Sequence, residues 1–364
     1  MKKHFDFYLF IAIIILILFG AVMIYSASSI WANYKFEDSF YYVKRQMIFI
    51  VLGIFLMITI SKIDYNIYYE KSNKILGICI ILLILVLIPG IGSVRNGSRS
   101  WFGIGSLGIQ PSEAAKLGMI IFTSKYLTNS SNFLKSYKYG VFPILGVLFL
   151  LFGLIMLQPD LGTGMILVVS IVSLLFIAGV NMKFFIGGGI LGIIGVIILI
   201  VIAPYRMDRI TSFINPWNDP LGTGFQIIQS LYAIGPGGLL GRGYLNSIQK
   251  QFYLPEPQTD FIFSIIAEEF GMVGTIFVVF MFSFIIYRGI KVALKTKDSF
   301  AKYLAFGMSF QLAFQALMNL MVVIGMIPVT GVTLPFLSYG GSSLLITLVS
   351  MGIILNISRH IKDS

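Results

Sequence analysis

Long runs of apolar residues, separated by short polar segments, dominate the chain. Ten of these runs approach the roughly 20 residues that a helix needs to cross a bilayer. They cover residues of about 8–28, 46–61, 75–91, 112–128, 140–157, 162–181, 184–204, 261–287, 303–327 and 338–358. Backbone groups in lipid need partners within their own segment, so we expect runs of this length to be helices. The pattern predicts an all-α membrane protein with about ten transmembrane helices.

One polar connection, at residues 205–260, is much longer than the others and joins the seventh and eighth predicted spans. Within this long loop, apolar residues recur at helical spacing, which predicts a short helix at the interface. They are Phe225, Ile228, Leu231 and Tyr232. The first apolar run, with roughly 20 residues, is too long for a typical signal-peptide core and should be retained as a helix. No clean internal repeat is evident, which counts against an inverted-repeat transporter. We expect residues 1–364 to form a single membrane domain.

Composition supports the membrane assignment. Hydrophobic residues make up 57% of the chain and charged residues 11%, and the mean hydropathy is +0.91. A soluble domain averages about 45–50% apolar and 25% charged residues, so a soluble chain with so little charge could not cover its own surface. The single cysteine, Cys79, lies inside an apolar run. Disulfides and thiolate metal sites are therefore excluded.

The net charge of +11 comes from basic residues in the short loops rather than from a basic arm or stripe. Nucleic acid is therefore not an expected partner. With the N-terminus inside, sixteen of the 26 Lys and Arg residues fall in inside segments. Because cytoplasmic loops carry an excess of Lys and Arg, we expect both termini in the cytoplasm and the long loop outside.

Acidic residues are concentrated towards the predicted outer face. Charge at membrane depth is costly and often marks function. Besides Glu37 and Asp38 in the first outer loop, eight of the 15 acidic residues lie in later outer loops or in the outer parts of spans. These are Glu113, Asp160, Asp208, Asp219, Glu256, Asp260, Glu268 and Glu269. Both histidines, His4 and His360, lie in the cytoplasmic tails. Acid–base chemistry on the outer face must then use a carboxylate, Lys or Tyr, which excludes Ser-His-Asp and metal-His sites there.

Asp260 stands in Tyr253-Leu-Pro-Glu-Pro-Gln-Thr-Asp-Phe-Ile-Phe263, directly before an apolar run. The two prolines are expected to keep the approach extended. Thr259 or Asp260 fits a helix cap, where the helix dipole favours a carboxylate. Alternatively, Asp260 is a partly desolvated base that takes a proton from a substrate hydroxyl. Capping alone would not explain the accompanying Glu256 and Gln258.

Glu113 and Lys116 share a helix face in Gln110-Pro-Ser-Glu-Ala-Ala-Lys116, where Pro111 or Ser112 fits the helix start. The two charges form either an internal ion pair or a buried polar element that binds substrate phosphate or positions Asp260. Both interpretations stay open at this point.

Three further segments carry candidate residues. Arg95 and Arg99 would suit a pyrophosphate, and Trp101 beside them also fits an interfacial aromatic belt. Asp160 is expected to cap the sixth span. The glycine-rich stretch Gly235-Pro-Gly-Gly-Leu-Leu-Gly-Arg-Gly243 fits an anion-binding backbone nest, ordinary turns or a re-entrant break.

Six motifs in order carry a resemblance that spans nearly the whole chain. They are Asn96-Gly-Ser-Arg-Ser-Trp101, Gln110-Pro-Ser-Glu-Ala-Ala-Lys116, Gln158-Pro-Asp-Leu-Gly-Thr-Gly164, Asp219-Pro-Leu-Gly-Thr-Gly224, the segment 253–263 and Leu334-Pro-Phe-Leu-Ser-Tyr-Gly-Gly-Ser-Ser343. Together they resemble the SEDS family (shape, elongation, division and sporulation), the membrane proteins RodA, FtsW and SpoVE. Pro216-Trp217 and Tyr253-Leu-Pro-Glu-Pro-Gln258 are most similar to the FtsW and SpoVE branch.

The resemblance implies a peptidoglycan glycosyltransferase of the bacterial cytoplasmic membrane, acting in cell division or spore cortex synthesis. Its substrate would be lipid II, the undecaprenyl-pyrophosphate-linked disaccharide-pentapeptide, polymerised on the outer face. Its partners would be a class B penicillin-binding protein, which supplies transpeptidase activity, and other divisome or sporulation proteins. A divalent cation, Mg²⁺ or Mn²⁺, is compatible with this chemistry, and no organic cofactor is expected.

Asp260 matches the essential aspartate of the family, and we expect it to be the general base. The candidates for binding substrate and pyrophosphate are Arg95, Arg99, Trp101, Glu113, Lys116, Arg206, Arg209 and Arg242. Residues expected to support the site are Gln110, Asp160, Glu256, Gln258, Thr259 and Ser338.

Two alternatives belong to other functional classes. A lipid II flippase would use Glu113, Lys116 and Asp160 along a pathway, but it should carry polar groups through the full membrane depth. The acidic residues instead avoid the inner halves of the predicted spans. A non-catalytic scaffold for a penicillin-binding protein would tolerate loss of Asp260.

Overall fold

The computed structural model describes residues 5–95, 97–103, 108–129, 137–202 and 204–361, which form twelve α-helices and one β-hairpin. The first six helices are α1 (Phe7–Phe36), α2 (Tyr41–Ile60), α3 (Asn66–Leu87), α4 (Pro111–Asn129), α5 (Phe142–Met156) and α6 (Leu161–Ile177). The others are α7 (Met182–Ile202), α8 (Pro204–Ile214), α9 (Phe225–Ile234), α10 (Ile262–Lys295), α11 (Ser299–Val323) and α12 (Gly341–Arg359). The hairpin pairs β1 (Ser93–Arg95) with β2 (Ser98–Trp101), antiparallel.

Each predicted span coincides with a helix, which confirms the all-α membrane architecture. Seven helices of the described part are long and apolar enough to cross a membrane: α1, α2, α5 with its preceding turn, α7, α10, α11 and α12. The other three predicted spans coincide with α3, α4 and α6, and α6 has only 17 residues. The low hydropathy of α4 has a structural reason, because most of its residues are buried against protein, Glu113 and Lys116 among them.

The long loop is largely structured. It contains α8 and α9, together with short 3₁₀ turns at Pro216–Asn218 and Gly235–Gly237. The helix predicted from Phe225 onwards is confirmed as α9, whose buried side includes Ile227 and Ile228.

Helix α11 occupies the centre of the bundle. It packs against α4, α6, α9, α10 and α12, while α2 packs against α12 and α3 against α4. Helix α7 stands apart, because none of the residues in its most apolar window is buried. Because α11 packs against five other helices, its side chains can connect polar groups that lie far apart in the sequence.

Helix α10 is broken at Gly271, whose backbone has φ 59° and ψ −148°. This combination is open almost only to glycine. A Cβ atom there would also lie 2.5 Å from the Gly241 nitrogen. Both the conformation and the close approach require glycine at this position.

The glycine-rich turn 238–243 inserts into this break. The N–H groups of Met272 and Val273 donate to carbonyls in the turn at 2.9 and 3.2 Å. In return, the N–H groups of Arg242 and Gly243 donate to the carbonyls of Glu268 and Glu269 at 2.9 and 3.0 Å. Because these turn N–H groups are engaged, the stretch acts as the partner of a helix break rather than as an anion nest. The break is tolerable at membrane depth because its backbone groups are paired again.

Candidate active site

Asp260 lies at the end of a folded turn, directly before α10. Glu256 has a left-handed φ of 44°, and the Thr259 N–H donates to the Glu256 carbonyl at 3.1 Å. The predicted extended approach is wrong, since proline fixes its own φ but is equally compatible with a turn. The predicted cap is also wrong, because α10 begins at Ile262 and its N-cap residue Phe261 makes no side-chain capping bond.

Asp260 is half-buried, and Thr259 is the one described side chain that is hydrogen-bonded to its carboxylate. Thr259 Oγ1 lies 2.8 Å from Asp260 Oδ1 and 2.7 Å from the Glu256 carbonyl oxygen, so two acceptors compete for one hydroxyl proton. Burial raises the pKa of Asp260, against the smaller lowering effects of the Thr259 hydrogen bond and the Arg209 charge. A raised pKa improves a carboxylate as a proton acceptor.

The backbone of this segment is held by α11 and by the loop between α11 and α12. Asn319 Nδ2 donates to the Asp260 carbonyl at 2.7 Å and to the Val332 carbonyl at 2.8 Å. The Tyr339 N–H donates to the Gln258 carbonyl at 2.8 Å, and Gln258 is buried. The position of Asp260 therefore depends on residues about 60–80 positions further along the chain.

A second polar cluster surrounds Lys116, which is 1% exposed. Lys116 Nζ donates to Glu113 Oε1 at 2.9 Å and to Gln315 Oε1 at 3.0 Å. The ion pair that the sequence offered as one of two interpretations is present. Gln315 Nε2 donates to the Thr333 carbonyl at 3.2 Å, so this cluster also reaches the loop between α11 and α12.

Asp160 and Gln110 border the Lys116 cluster. The Thr163 N–H donates to Asp160 Oδ1 at 3.0 Å, which confirms Asp160 as the cap of α6. Gln110 Nε2 donates to the other carboxylate oxygen at 2.9 Å. Burial raises the pKa of Asp160, while the Thr163 contacts and the charge of Lys116 lower it.

Gln315 and Asn319 join the two clusters, because they are four residues apart on α11 and lie on the same face. Their amides donate to the adjacent carbonyls of Val332 and Thr333. One turn of α11 therefore fixes the surroundings of both Lys116 and Asp260. Neither amide was among the residues predicted from the sequence.

The β-hairpin places Arg95, Arg99 and Trp101 beside the turn that precedes α6. Ser98 Oγ donates to the carbonyl of Gln158 in that turn. The Arg95 guanidinium lies 4.7 Å from the Trp101 ring centre, and its Nη2 is buried without a hydrogen-bond partner in the described part of the chain. Arg99 is half-buried on β2. Arg95 thus offers an unused donor.

The remaining predicted residues are dispersed. Arg209 is exposed on α8 and donates to the Val329 carbonyl at 2.9 Å. Arg242 Nε lies 3.7 Å from Glu268 Oε1, in a different cluster. Ser338 Oγ accepts from the Leu334 N–H at 2.8 Å and so stabilises its own loop. The side chain of Arg206 lies outside the described residues, and Glu256 is exposed.

With this geometry established, the chain can be compared with known proteins. The family model for FtsW, RodA and SpoVE, described as "Cell cycle protein", matches residues 7–363. This chain belongs to that family.

Among similar proteins, Stage V sporulation protein E of Bacillus subtilis is 50% identical over 98% of this chain and 97% of its own length. The probable peptidoglycan glycosyltransferase FtsW of Geobacter metallireducens is 41% identical over 100% of this chain and 96% of its own.

Two solved structures share the fold. A chain from a peptidoglycan synthase complex, described as coordinating polymerization and crosslinking, aligns with TM-score 0.80 at 30% identity over 99% of both chains. The rod shape determining protein RodA of Thermus thermophilus aligns with TM-score 0.73 at 26% identity, over 99% of this chain and 98% of its own.

A buried ion cluster, comprising Ser26, Ser247, Lys250, Glu268 and Glu269, was not predicted from the sequence. Lys250 Nζ donates to Glu269 Oε1 at 2.7 Å and to Ser26 Oγ at 3.0 Å. Glu268 accepts from Ser247 Oγ at 2.6 Å. The cluster joins α1, the long loop and the broken part of α10. Two adjacent acidic residues in an apolar run were the available signal, since buried charges need a partner.

Replacing Lys250 with Met should strongly destabilise the protein, because Glu269 would be left as an uncompensated buried charge. Removing one partner of a buried pair typically costs about 3–5 kcal/mol. The double variant Lys250→Met/Glu269→Gln should recover most of the loss. Thermal unfolding of purified protein in detergent measures both effects.

The matched control is the exposed pair Lys44–Asp38, whose nitrogen and oxygen atoms lie 2.8 Å apart. Lys44→Met should leave Tm essentially unchanged, because solvent screens this pair. Equal Tm losses for Lys250→Met and Lys44→Met would contradict a structural role of the buried ion cluster.

Proposed function

We propose that this chain is a peptidoglycan glycosyltransferase that polymerises lipid II, with Asp260 as the general base. Relatives and a solved complex that match almost its full length carry peptidoglycan glycosyltransferase or synthase in their descriptions. One structural observation carries the assignment of the base. Among the described side chains, only Thr259 bonds the Asp260 carboxylate, whereas Glu113, Glu268 and Glu269 are each bonded to a cation or to several donors.

In the proposed reaction, a hydroxyl of one lipid-linked disaccharide attacks the anomeric carbon of another. Asp260 accepts the hydroxyl proton while the new C–O bond forms. The bond from the anomeric carbon to the pyrophosphate breaks, and the lipid pyrophosphate leaves with the electron pair. In-line attack inverts the anomeric centre. General-base assistance of this kind typically contributes about 10²–10⁴ in rate.

The leaving pyrophosphate needs cations, and we assign this role to arginines near the site. Arg95 has a buried nitrogen without a partner, Arg99 is half-buried, and Arg209 is exposed. Guanidinium groups bind phosphate oxygens in bidentate geometry. Lys116 would act through its charge, because its ammonium group is buried between Glu113 and Gln315.

A divalent cation, Mg²⁺ or Mn²⁺, stays a proposal for this site. Such an ion is usually held by one or two carboxylates together with substrate phosphates and water. Among the described residues, no group of three or more His, Cys, Asp or Glu side chains could hold the ion without substrate. The proposed mechanism routes no step through a metal ion.

We further propose a class B penicillin-binding protein as partner. The related synthase complex is described as coordinating polymerization with crosslinking, which supports a transpeptidase beside this chain. We also propose a role in cell division or spore cortex synthesis, with further divisome or sporulation partners. The similarity to Stage V sporulation protein E and to FtsW supports this role. The proposed location is the bacterial cytoplasmic membrane.

Asp260→Asn should abolish polymerisation while leaving the protein folded. The expected loss is about 10²–10⁴ in rate, the usual contribution of a general base. The assay measures glycan strands formed from lipid II by purified protein, with and without the penicillin-binding protein. Asp208→Asn is the matched control, because Asp208 is an exposed aspartate of the same loop and should retain wild-type activity.

The same assay separates the alternatives. Wild-type rates in Asp260→Asn would refute Asp260 as the base. A wild-type protein that moves lipid II across vesicles without polymerising it would be a flippase. A protein that does neither, alone or with the partner, would be a scaffold.

The pH profile should show an acidic limb set by Asp260. A base must be deprotonated, so kcat/KM should fall as the pH drops through the pKa of Asp260, which burial raises above its usual range. Arg209 lowers that pKa, so Arg209→Gln should move the midpoint to higher pH. Arg45→Gln is the control and should leave the midpoint in place. A limb that Arg209→Gln moves to lower pH would contradict this electrostatic coupling.

Ten spans with both termini in the cytoplasm remain our proposal for the topology. In a Cys79→Ser background, a membrane-impermeant maleimide should label Leu221→Cys in intact cells, since Leu221 is 88% exposed in the long loop. Lys62→Cys and Lys297→Cys, in exposed loops at the opposite side, should react only after permeabilisation. The reverse labelling pattern would overturn the orientation.

A further inference from the structure

We propose that Asn319 is a positioning residue for Asp260, an inference that rests on the function proposed above. Asn319 lies on α11 and is fully buried. Its Nδ2 donates to the carbonyls of Asp260 and Val332 at 2.7 and 2.8 Å. A carboxamide has two N–H donors, and both are used here on irregular backbone. Asn319 thus joins the catalytic segment, the central helix and the loop between α11 and α12.

The contact fixes the main chain of Asp260 rather than its carboxylate. The main chain needs this support because Thr259 is the one described side chain that is hydrogen-bonded to the carboxylate. Without an external partner at the carbonyl, the reach of the carboxylate towards a substrate would depend on a turn that no side-chain cap anchors to α10. Displacements of about 1 Å can cost roughly 100-fold in rate.

Helix α11 also fixes the position of Asp260 relative to Lys116. Gln315, one turn before Asn319, binds Lys116 Nζ and the Thr333 carbonyl at 3.0 and 3.2 Å. Because the two amides stand on one rigid helix, Asp260 and Lys116 are held relative to each other. Loss of Asn319 would release the carbonyls of Asp260 and Val332 and would leave the contacts of Gln315 with Lys116 and Thr333 in place.

Asn319 also has an unpartnered atom. Its Oδ1 is buried and has no hydrogen-bond partner among the described residues. A buried acceptor without a partner lowers stability. Stability alone would therefore not favour asparagine at position 319. The need for two N–H donors, one for the Asp260 carbonyl and one for the Val332 carbonyl, does favour it.

Asn356 on α12 provides a matched control. It is also buried, its Nδ2 donates to the Ser61 carbonyl at 3.0 Å, and its Oδ1 accepts from the Tyr65 N–H at 3.1 Å. It holds the connection between α2 and α3, away from Asp260. Asn356→Leu therefore removes the same kind of contact without touching the proposed site.

The test compares Asn319→Leu, Asn319→Gln and Asn356→Leu in the purified full-length protein. Asn319→Leu should lower kcat on lipid II by about tenfold to 100-fold with little change in KM. Asn319→Gln keeps both donors on a longer side chain and should recover part of that loss. Asn356→Leu should lower Tm but keep the wild-type kcat. Wild-type kcat in Asn319→Leu, or an equal kcat loss in Asn356→Leu at equal Tm, would overturn the inference.

Hydrogen–deuterium exchange gives a readout that does not need activity. Asn319→Leu should speed exchange in residues 256–264, and Asn356→Leu should speed it around residues 61–66. If the wild-type protein fails to polymerise lipid II, the proposed function is wrong. The exchange measurement would still show whether Asn319 holds the backbone around Asp260. Unchanged exchange at 256–264 would refute positioning by Asn319. If Asn319→Leu does not fold, Asn319→Ser, too short to reach both carbonyls, is measured in the same way.

Discussion

The break in α10 leaves backbone N–H and C=O groups without their helical partners, and two buried glutamates lie beside it. Because little water reaches this region, each of these groups needs a partner from the protein. The inserted turn 238–243 supplies the backbone partners, and the buried ion cluster neutralises Glu269 with Lys250. Both partners come from the long loop, so the loop and the break are stable only together. This constraint explains why a long polar connection is folded rather than disordered, and why glycine is required at Gly271.

The segment of α10 before the break, residues 262–270, is therefore held at both ends. At its C-terminal end, Glu268 and Glu269 bind the long loop and α1. At its N-terminal end, Asp260 precedes the helix and is bonded through its carbonyl to Asn319 on α11. A short helix fixed in this way can present a carboxylate at a constant distance from the central helix, although the carboxylate itself stands on a turn.

Features set by local sequence were predictable, and features set by distant partners were not. The spans, the helix α9, the Asp160 cap and the pair Glu113–Lys116 depend on residues within a few positions. Asn319 and Gln315 are neutral amides in a predicted span, and their partners include backbone carbonyls that no periodicity reveals. The approach to Asp260 was misjudged for a related reason, since its shape depends on contacts with α11 and the following loop. The prediction of Asp260 as the base rests on its motif and on the lack of histidines in the predicted outer segments.

The placement of the cations constrains how a pyrophosphate could be bound. Lys116 is 1% exposed, and Glu113 and Gln315 already occupy it. Contact with a phosphate would require breaking a buried ion pair, which is strongly unfavourable. Arg95 and Arg209 need no such change, because one has an unused donor and the other is exposed. Under the proposed function, the arginines would therefore contact the leaving group, and Lys116 would act only through its charge. Burial is the largest influence on the pKa of Asp260 and raises it, whereas the charge of the exposed Arg209 lowers it by a smaller amount, so the pKa stays raised.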